Sequence, residues 1–263
     1  MEDKTNIMAF LQGVITQFDE FCSRFNFPET IEKNTWDSRL GPLDVYTSKG
    51  PVFEKASLIY CDLTIDTPPV LAEKLGQAGS TAEALVVEMN LFPVNPCVPK
   101  GYLELRVNIT DKVVFAGGTD IFPYFNREDD SSTFANGIKK LCSQYGQDYS
   151  ALRQARINFF QSKYRKGTVG SHAGIYSFHL EDSAFPFFQD LAGTFFSLYG
   201  GIVEKRNIEA FTEHDIEHKL KLHGQWAEWI LLEDSGTKYG LDQGIPAEAL
   251  LGSILPPKAT FQF

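Results

Sequence analysis

Apolar residues recur every three or four positions across residues 4–26, where Ile7, Phe10, Leu11, Val14, Phe18, Phe21, Cys22 and Phe25 form one stripe. That spacing predicts an amphipathic helix packed on a core, ended by Phe27-Pro28. Beyond it the period drops to two. Residues 43–47 and 51–65 read as strands joined through the turn-forming Ser48-Lys49-Gly50. Residues 66–80 contain Pro68-Pro69 and at most a short apolar helix, and strands are expected again at 82–92, 101–109 and 112–115.

In the second half helical spacing takes over. Residues 128–165 read as two helices, the first capped by Asp130-Ser131-Ser132 and burying Phe134, Ile138, Leu141 and Tyr145. Residues 172–180 alternate like a strand, and 185–206 form a long aromatic helix containing Gly200-Gly201. A polar helix over 212–222 precedes a strand over 225–232, a turn at Ser235-Gly236-Thr237-Lys238 and a short helix from Ala247. Short loops between successive strands imply antiparallel pairing. The expected class is therefore α/β (α+β), a large, mainly antiparallel sheet flanked by helices on both faces. No repeat or linker divides the chain, so residues 1–263 are expected to form a single domain.

Composition narrows the function. With 24 Lys and Arg against 34 Asp and Glu, the formal charge of −10 repels phosphate backbones and anionic lipid, which argues against nucleic acid as a partner. The 22 phenylalanines predict a core and pocket rich in flat rings. Cys22, Cys61, Cys97 and Cys142 are widely spaced and read as reduced, buried thiols. The acidic start, Met1-Glu-Asp-Lys-Thr, lacks the basic region of a signal peptide, and no apolar run approaches the roughly 20 residues of a bilayer span. A cytoplasmic location is the expectation.

Three patterns carry candidate chemistry. His214, Glu217 and His218 fit HxxEH, which places two imidazoles on one helix face as zinc would require. Their neighbours Glu209, Glu213, Lys219 and Lys221 are charged, so a solvated surface helix is the preferred reading and no metal is expected. Ala116-Gly117-Gly118 lacks the GxGxxG spacing of a nucleotide loop and reads as a sharp turn or a close approach to a flat ligand. Strand alternation puts Tyr102, Glu104 and Arg106 on one face, either solvated or walling a polar pocket, and composition alone favours the former. It also groups His172 with Gly174 and Tyr176, and Trp226 with Glu228 and Ile230.

Several longer segments resemble those of the oxygen-dependent coproporphyrinogen III oxidases. Gly50-Pro-Val-Phe-Glu-Lys-Ala56 is similar to that family's GxVFEKA strand, and Trp36-Asp37-Ser-Arg39 to its DxWxR. Pro93-Val-Asn-Pro-Cys-Val-Pro99 followed by Arg106 resembles HPxNPxxPTxHxNxR, and the run from Phe115 to Tyr124 resembles FGGGxDLTPYY. Glu228, the run Asp234-Ser-Gly-Thr-Lys-Tyr-Gly-Leu241 and residues 248–256 follow the family's C-terminal order. The resemblance implies a sheet flanked by helices, a homodimer, and a tetrapyrrole cleft. It also implies oxidative decarboxylation of two propionates by dioxygen without metal or organic cofactor.

The departures fall on polar positions. Phe92 stands where the resemblance expects His, Tyr102 and Glu104 replace a His and an Asn, Phe178 replaces an Asp, and Ser235 an Arg. Fewer cations for the four propionates, and a changed set of acids and bases, imply a less anionic, flat aromatic or pyrrolic substrate. On this reading Glu104 and His172 are general base and acid, with Tyr102 and Tyr176 as relays. Arg106 and Arg165 hold substrate carboxylates, Asp120 shapes the glycine segment, and Phe92, Asn95, Phe178, Trp226 and Glu228 complete the binding wall. The competing readings are a non-catalytic tetrapyrrole-binding protein and a bilin reductase, the latter requiring a basic patch for an acidic electron donor.

Overall fold

The computed structural model describes residues 3–27, 31–66, 81–166, 169 and 173–261. Seven strands form one sheet in sequential order: β1 (Ile31–Ser38), β2 (Gly41–Ser48), β3 (Phe53–Asp66), β4 (Thr81–Pro93), β5 (Lys100–Ile109), β6 (Val113–Phe122) and β7 (Ile175–Glu181). Every neighbouring pair is antiparallel. The first strand was not foreseen, because its residues alternate around exposed polar side chains and bury little. The expected segment 66–80 lies largely outside the described residues.

Seven α-helices among the described residues cover the sheet: α1 (Lys4–Phe25), α2 (Glu128–Gln144), α3 (Tyr149–Phe159), α4 (Phe185–Arg206), α5 (Glu213–Leu232), α6 (Ser235–Asp242) and α7 (Ala247–Ile254). None is long and apolar enough to cross a membrane. α1 and α4 match the sequence expectation closely, since a strong apolar stripe and Pro186 in the first turn define them. α2 begins at Glu128, two residues before the expected cap, and Asp130 is spent on an ion pair with Arg206 at 2.8 Å.

The second half brings two corrections. Residues 225–232 are not a strand but the continuation of α5. Its buried positions Lys219, His223, Trp226 and Ile230 repeat at three and four residues, a helical period that the apparent alternation of Trp226, Glu228 and Ile230 had masked. Residues 235–238 are not a turn but the start of α6, whose N-terminal N–H groups at Gly236 and Thr237 donate to the Asp234 carboxylate.

One sheet face is apolar. Leu58, Met89 and Leu103 lie opposite one another across β3, β4 and β5, beside Val87 with Leu105 and Leu85 with Val107. α1 supplies Leu11, Val14 and Phe18 to this core and α4 supplies Phe188, Leu191, Phe195 and Tyr199, all essentially without solvent contact. Each such side chain contributes roughly 1.5–3 kcal/mol on burial. The other face carries the polar residues and is covered by α5 and α7.

The glycines of β6 sit within the sheet. β6 runs through Gly117-Gly118 to Phe122, past the expected end at 115. A Cβ on Gly117 (φ +119°) would lie 2.2 Å from the Glu104 carbonyl oxygen, and one on Gly118 would lie 2.0 Å from that of Ile175. The expected sharp turn or ligand approach is replaced by close packing of neighbouring strands around a register shift between Phe115 and Gly117.

Candidate active site

Alternation assembles the polar face in cross-strand rows. One row reads Ile59, Glu88, Glu104, Gly118, Tyr176 across five strands. The row on one side reads Ser57, Asn90, Tyr102, Asp120, and the row on the other reads Cys61, Val86, Arg106, Ala116. Two carboxylates thus face each other at the centre, between a phenol and amide row and an arginine row.

Hydrogen bonds tie this centre together. The Tyr102 and Tyr176 hydroxyls both donate to Oε2 of Glu104, at 2.8 and 2.9 Å. Nη1 of Arg106 lies 3.8 Å from the other Glu104 oxygen, and the Asn90 amide donates to Glu88 at 3.0 Å. Gly118 lies between Glu104 and Tyr176 in the row, and Tyr176 is stacked on Phe159 at 4.8 Å.

Charge in this setting is shifted by desolvation. Burial, with the Glu104 charge next, pushes the Glu88 carboxyl up to about 8, so it holds its proton at neutral pH. Burial also raises Asp234, which caps α6 and interacts electrostatically with Glu104. Both tyrosines are held well above the usual phenol range by burial and by the adjacent Glu104. The arrangement offers a carboxyl that can give a proton, a hydrogen-bonded carboxylate, two phenols and a half-buried guanidinium.

α5 roofs the face through fixed anchors. Nζ of Lys219 donates to Glu54 at 2.8 Å and to the carbonyl oxygens of Pro93 and Val94. Trp226 Nε1 donates to the Ile254 carbonyl at 3.0 Å, tying α5 to α7. His223 Nδ1 lies 2.9 Å from the Lys258 carbonyl, which leaves Nε2 to accept from Tyr124 at 2.7 Å. Burial lowers this imidazole to about 3, which keeps it neutral.

The structure puts Tyr102, Glu104 and Arg106 on one face, as strand alternation anticipated, but Tyr102 and Glu104 are buried where composition favoured a solvated face. It adds Tyr176 from β7 to the group and places other expected residues elsewhere. Asp120 is fully buried, in an ion pair with Arg156 at 2.9 Å and accepting from the Gly174 N–H. Asn95 latches the loop before β5 to the end of α4, donating to the carbonyl oxygens of Asn207 and Glu209. Phe92 lies in the interior against His223. Trp226 is on a helix, under which it packs on Phe160, while Glu228 points away from it and pairs with Arg165 at 2.6 Å. Arg165 and Glu228 therefore brace a surface loop and not the central row. Phe178 is 52% exposed beside Tyr176 and Phe159. His172 lies outside the described residues.

Four participants were missed. Glu88 alternates with Asn90 on an expected strand and its face was readable. Lys100 opens the next strand, and Asp234 stands at a helix start where the sequence predicts a turn. Arg156 gave no signal, since a charged residue inside an apolar helical stripe is read as exposed. His214 and Glu217 are exposed, and no group of three His, Cys, Asp or Glu side chains among the described residues could hold a metal ion.

A sequence model of the coproporphyrinogen III oxidase family matches residues 6–263. The chain belongs to that family. It is 30% identical over 278 aligned residues, 98% of this chain and 89% of the relative, to an oxygen-dependent coproporphyrinogen-III oxidase of Francisella philomiragia subsp. philomiragia. A coproporphyrinogen III oxidase fold agrees with the antiparallel sheet between helical layers, and the motifs that carried the resemblance map onto β1, the start of β3, the loop before β5, β6, α6 and α7.

Proposed function

We propose that this chain is an oxygen-dependent oxidase of a tetrapyrrole or related pyrrolic substrate, acting over the central row of the polar sheet face with an altered set of acids and bases. The observation that carries the proposal is the Glu88–Glu104 row with Tyr102, Tyr176 and Arg106 around it, in a chain that matches the coproporphyrinogen III oxidase family over residues 6–263. Dioxygen is the oxidant and no metal or organic cofactor takes part. A homodimer is the expected assembly.

For a propionate arm the balance is simple. The acid CH2–CH2–COOH loses carbon dioxide and becomes a vinyl group, and the two electrons and two protons released convert dioxygen to hydrogen peroxide. Such a step needs a base that accepts a proton as the electrons leave and an acid that supplies one to reduced oxygen. Glu104, its lone pairs oriented by two phenols, is the base. Glu88, protonated at neutral pH, takes the acid role that the family resemblance had led us to expect of His172. Arg106 holds a substrate carboxylate at the edge of the row, and the exposed ring of Phe178 offers a flat surface beside it.

A second reading is a tetrapyrrole-binding protein without turnover. It is favoured by Phe178, which puts a ring where the family resemblance expects a carboxylate. Aerobic incubation with coproporphyrinogen III, followed by mass spectrometry for lost carbon dioxide, separates the two. Turnover that falls about a hundredfold in Glu104→Gln supports the oxidase. Turnover unchanged in Glu104→Gln, Glu88→Gln and His172→Ala together would remove all three from the chemistry.

A further inference from the structure

Two cations lie deeper than the carboxylate row. Lys100 is 2% exposed and Arg156 has no exposure at all. Lys100 Nζ sits 3.8 Å from the ring centre of Trp226, 4.4 Å from Phe122 and 5.2 Å from Tyr102. The Arg156 guanidinium carbon sits 3.2 Å from the centre of Phe160, 5.1 Å from Phe122 and 5.6 Å from Tyr102. Both cations thus share the Phe122 and Tyr102 rings inside one aromatic box.

Their donors outnumber their acceptors. Asp120 Oδ2 lies 2.9 Å from Arg156 Nε, while Lys100 Nζ and the Arg156 Nη1 and Nη2 atoms have no hydrogen-bond partner among the described residues. Aromatic faces attract cations but accept none of their hydrogen bonds in full. A buried cation is tolerated when an anion pairs with it and its donors are met. Asp120 pairs with Arg156 alone, and burial presses Lys100 well below the usual amine range, with Glu88 and Asp120 pulling it back up and the Arg156 charge pressing it further down.

We infer that Lys100 and Arg156 form a buried anion-binding subsite that takes a carboxylate. The two free terminal nitrogens of Arg156 present the planar fork that a carboxylate matches with both oxygens, and Lys100 adds a point charge from the side of Trp226. As the seat of a propionate arm it rests on the oxidase reading above; as a carboxylate site it stands without it.

Thermal melts of the full chain in sodium propionate and in sodium chloride at equal ionic strength test the subsite. Wild type is expected to show a saturable rise in Tm with propionate alone. Lys100→Met is expected to melt higher than wild type in chloride, because a desolvated charge is gone, and to lose the propionate response; Lys100→Arg is expected to keep it. No propionate response in wild type, or an unchanged one in Lys100→Met, would overturn the subsite. Absorbance titration with coproporphyrin III then asks whether the carboxylate rides on a tetrapyrrole, with binding about tenfold or more weaker in Lys100→Met if it does. Equal coproporphyrin affinity in wild type and Lys100→Met, with the propionate response present in wild type and lost in the variant, assigns the subsite to a free carboxylate. Absence of turnover in wild type, with its propionate response present, would sink the oxidase reading alone.

Discussion

The two faces of the same seven strands are built by opposite rules. Leu58, Met89 and Leu103 point one way and meet Phe195, Tyr199 and Val14, with scarcely a polar atom between them. One residue along each strand, Ile59, Glu88 and Glu104 point the other way, into a layer that holds carboxyls, phenols and buried cations among rings. The apolar face lowers the free energy of the fold through burial and close packing. The polar face gives part of that up, since each buried ionisable group costs desolvation. Where a protein retains such groups inside, a functional site is the physical reason to look for first.

That contrast can be broken by substitution. Phe195→Ala, which empties a fully buried position stacked on Tyr199, should lower unfolding free energy by about 3–5 kcal/mol in urea titration while leaving the central row intact. A loss below about 1 kcal/mol would show that the apolar face is less tightly packed than its contacts indicate. On the polar face the sign reverses. Glu88 keeps its proton in the fold up to about 8 but releases it near 4.5 when unfolded. Below 4.5 both states are protonated; between 4.5 and 8 the unfolded state alone ionises, so stability falls as pH rises, and above 8 the loss is complete. Glu88→Gln removes that slope and should be more stable than wild type at pH 9 by a few kcal/mol, with the two converging near pH 4.5.

Smaller effects sharpen the comparison. Tyr176→Phe deletes one donor to Glu104 and should cost about 1 kcal/mol, with a larger proportional effect on turnover than on Tm. Arg165→Ala breaks a half-exposed pair with Glu228 and should change stability by less than about 0.5 kcal/mol, with turnover unaffected. A strong loss of activity there would return Arg165 to the binding wall.

The sequence was most legible where one physical demand acted alone. α1 and α4 bury a single stripe against the apolar face, so their period of 3.6 stands out and their limits were read almost to the residue. Tyr102, Glu104 and Arg106 were found together because a strand's period of two needs no tertiary knowledge. α5 failed that test: it buries Lys219 and His223 alongside Trp226 and Ile230, and buried polar residues scramble a pattern read from hydrophobicity. Arg156 was hidden for the same reason, and the latch from Asn95 to the end of α4 gave no local signal because it joins segments more than a hundred residues apart. Legibility thus fades on the face where the chemistry is proposed.

Turnover of coproporphyrinogen III under air by wild type, Glu104→Gln and Arg165→Ala, with carbon dioxide and product mass followed together, tests the role of the polar face most directly. Decarboxylated product is expected from wild type and from Arg165→Ala, and a rate about a hundredfold lower from folded Glu104→Gln. Equal rates from wild type and Glu104→Gln would contradict it, and would place the chemistry away from the row that Glu88 and Glu104 share.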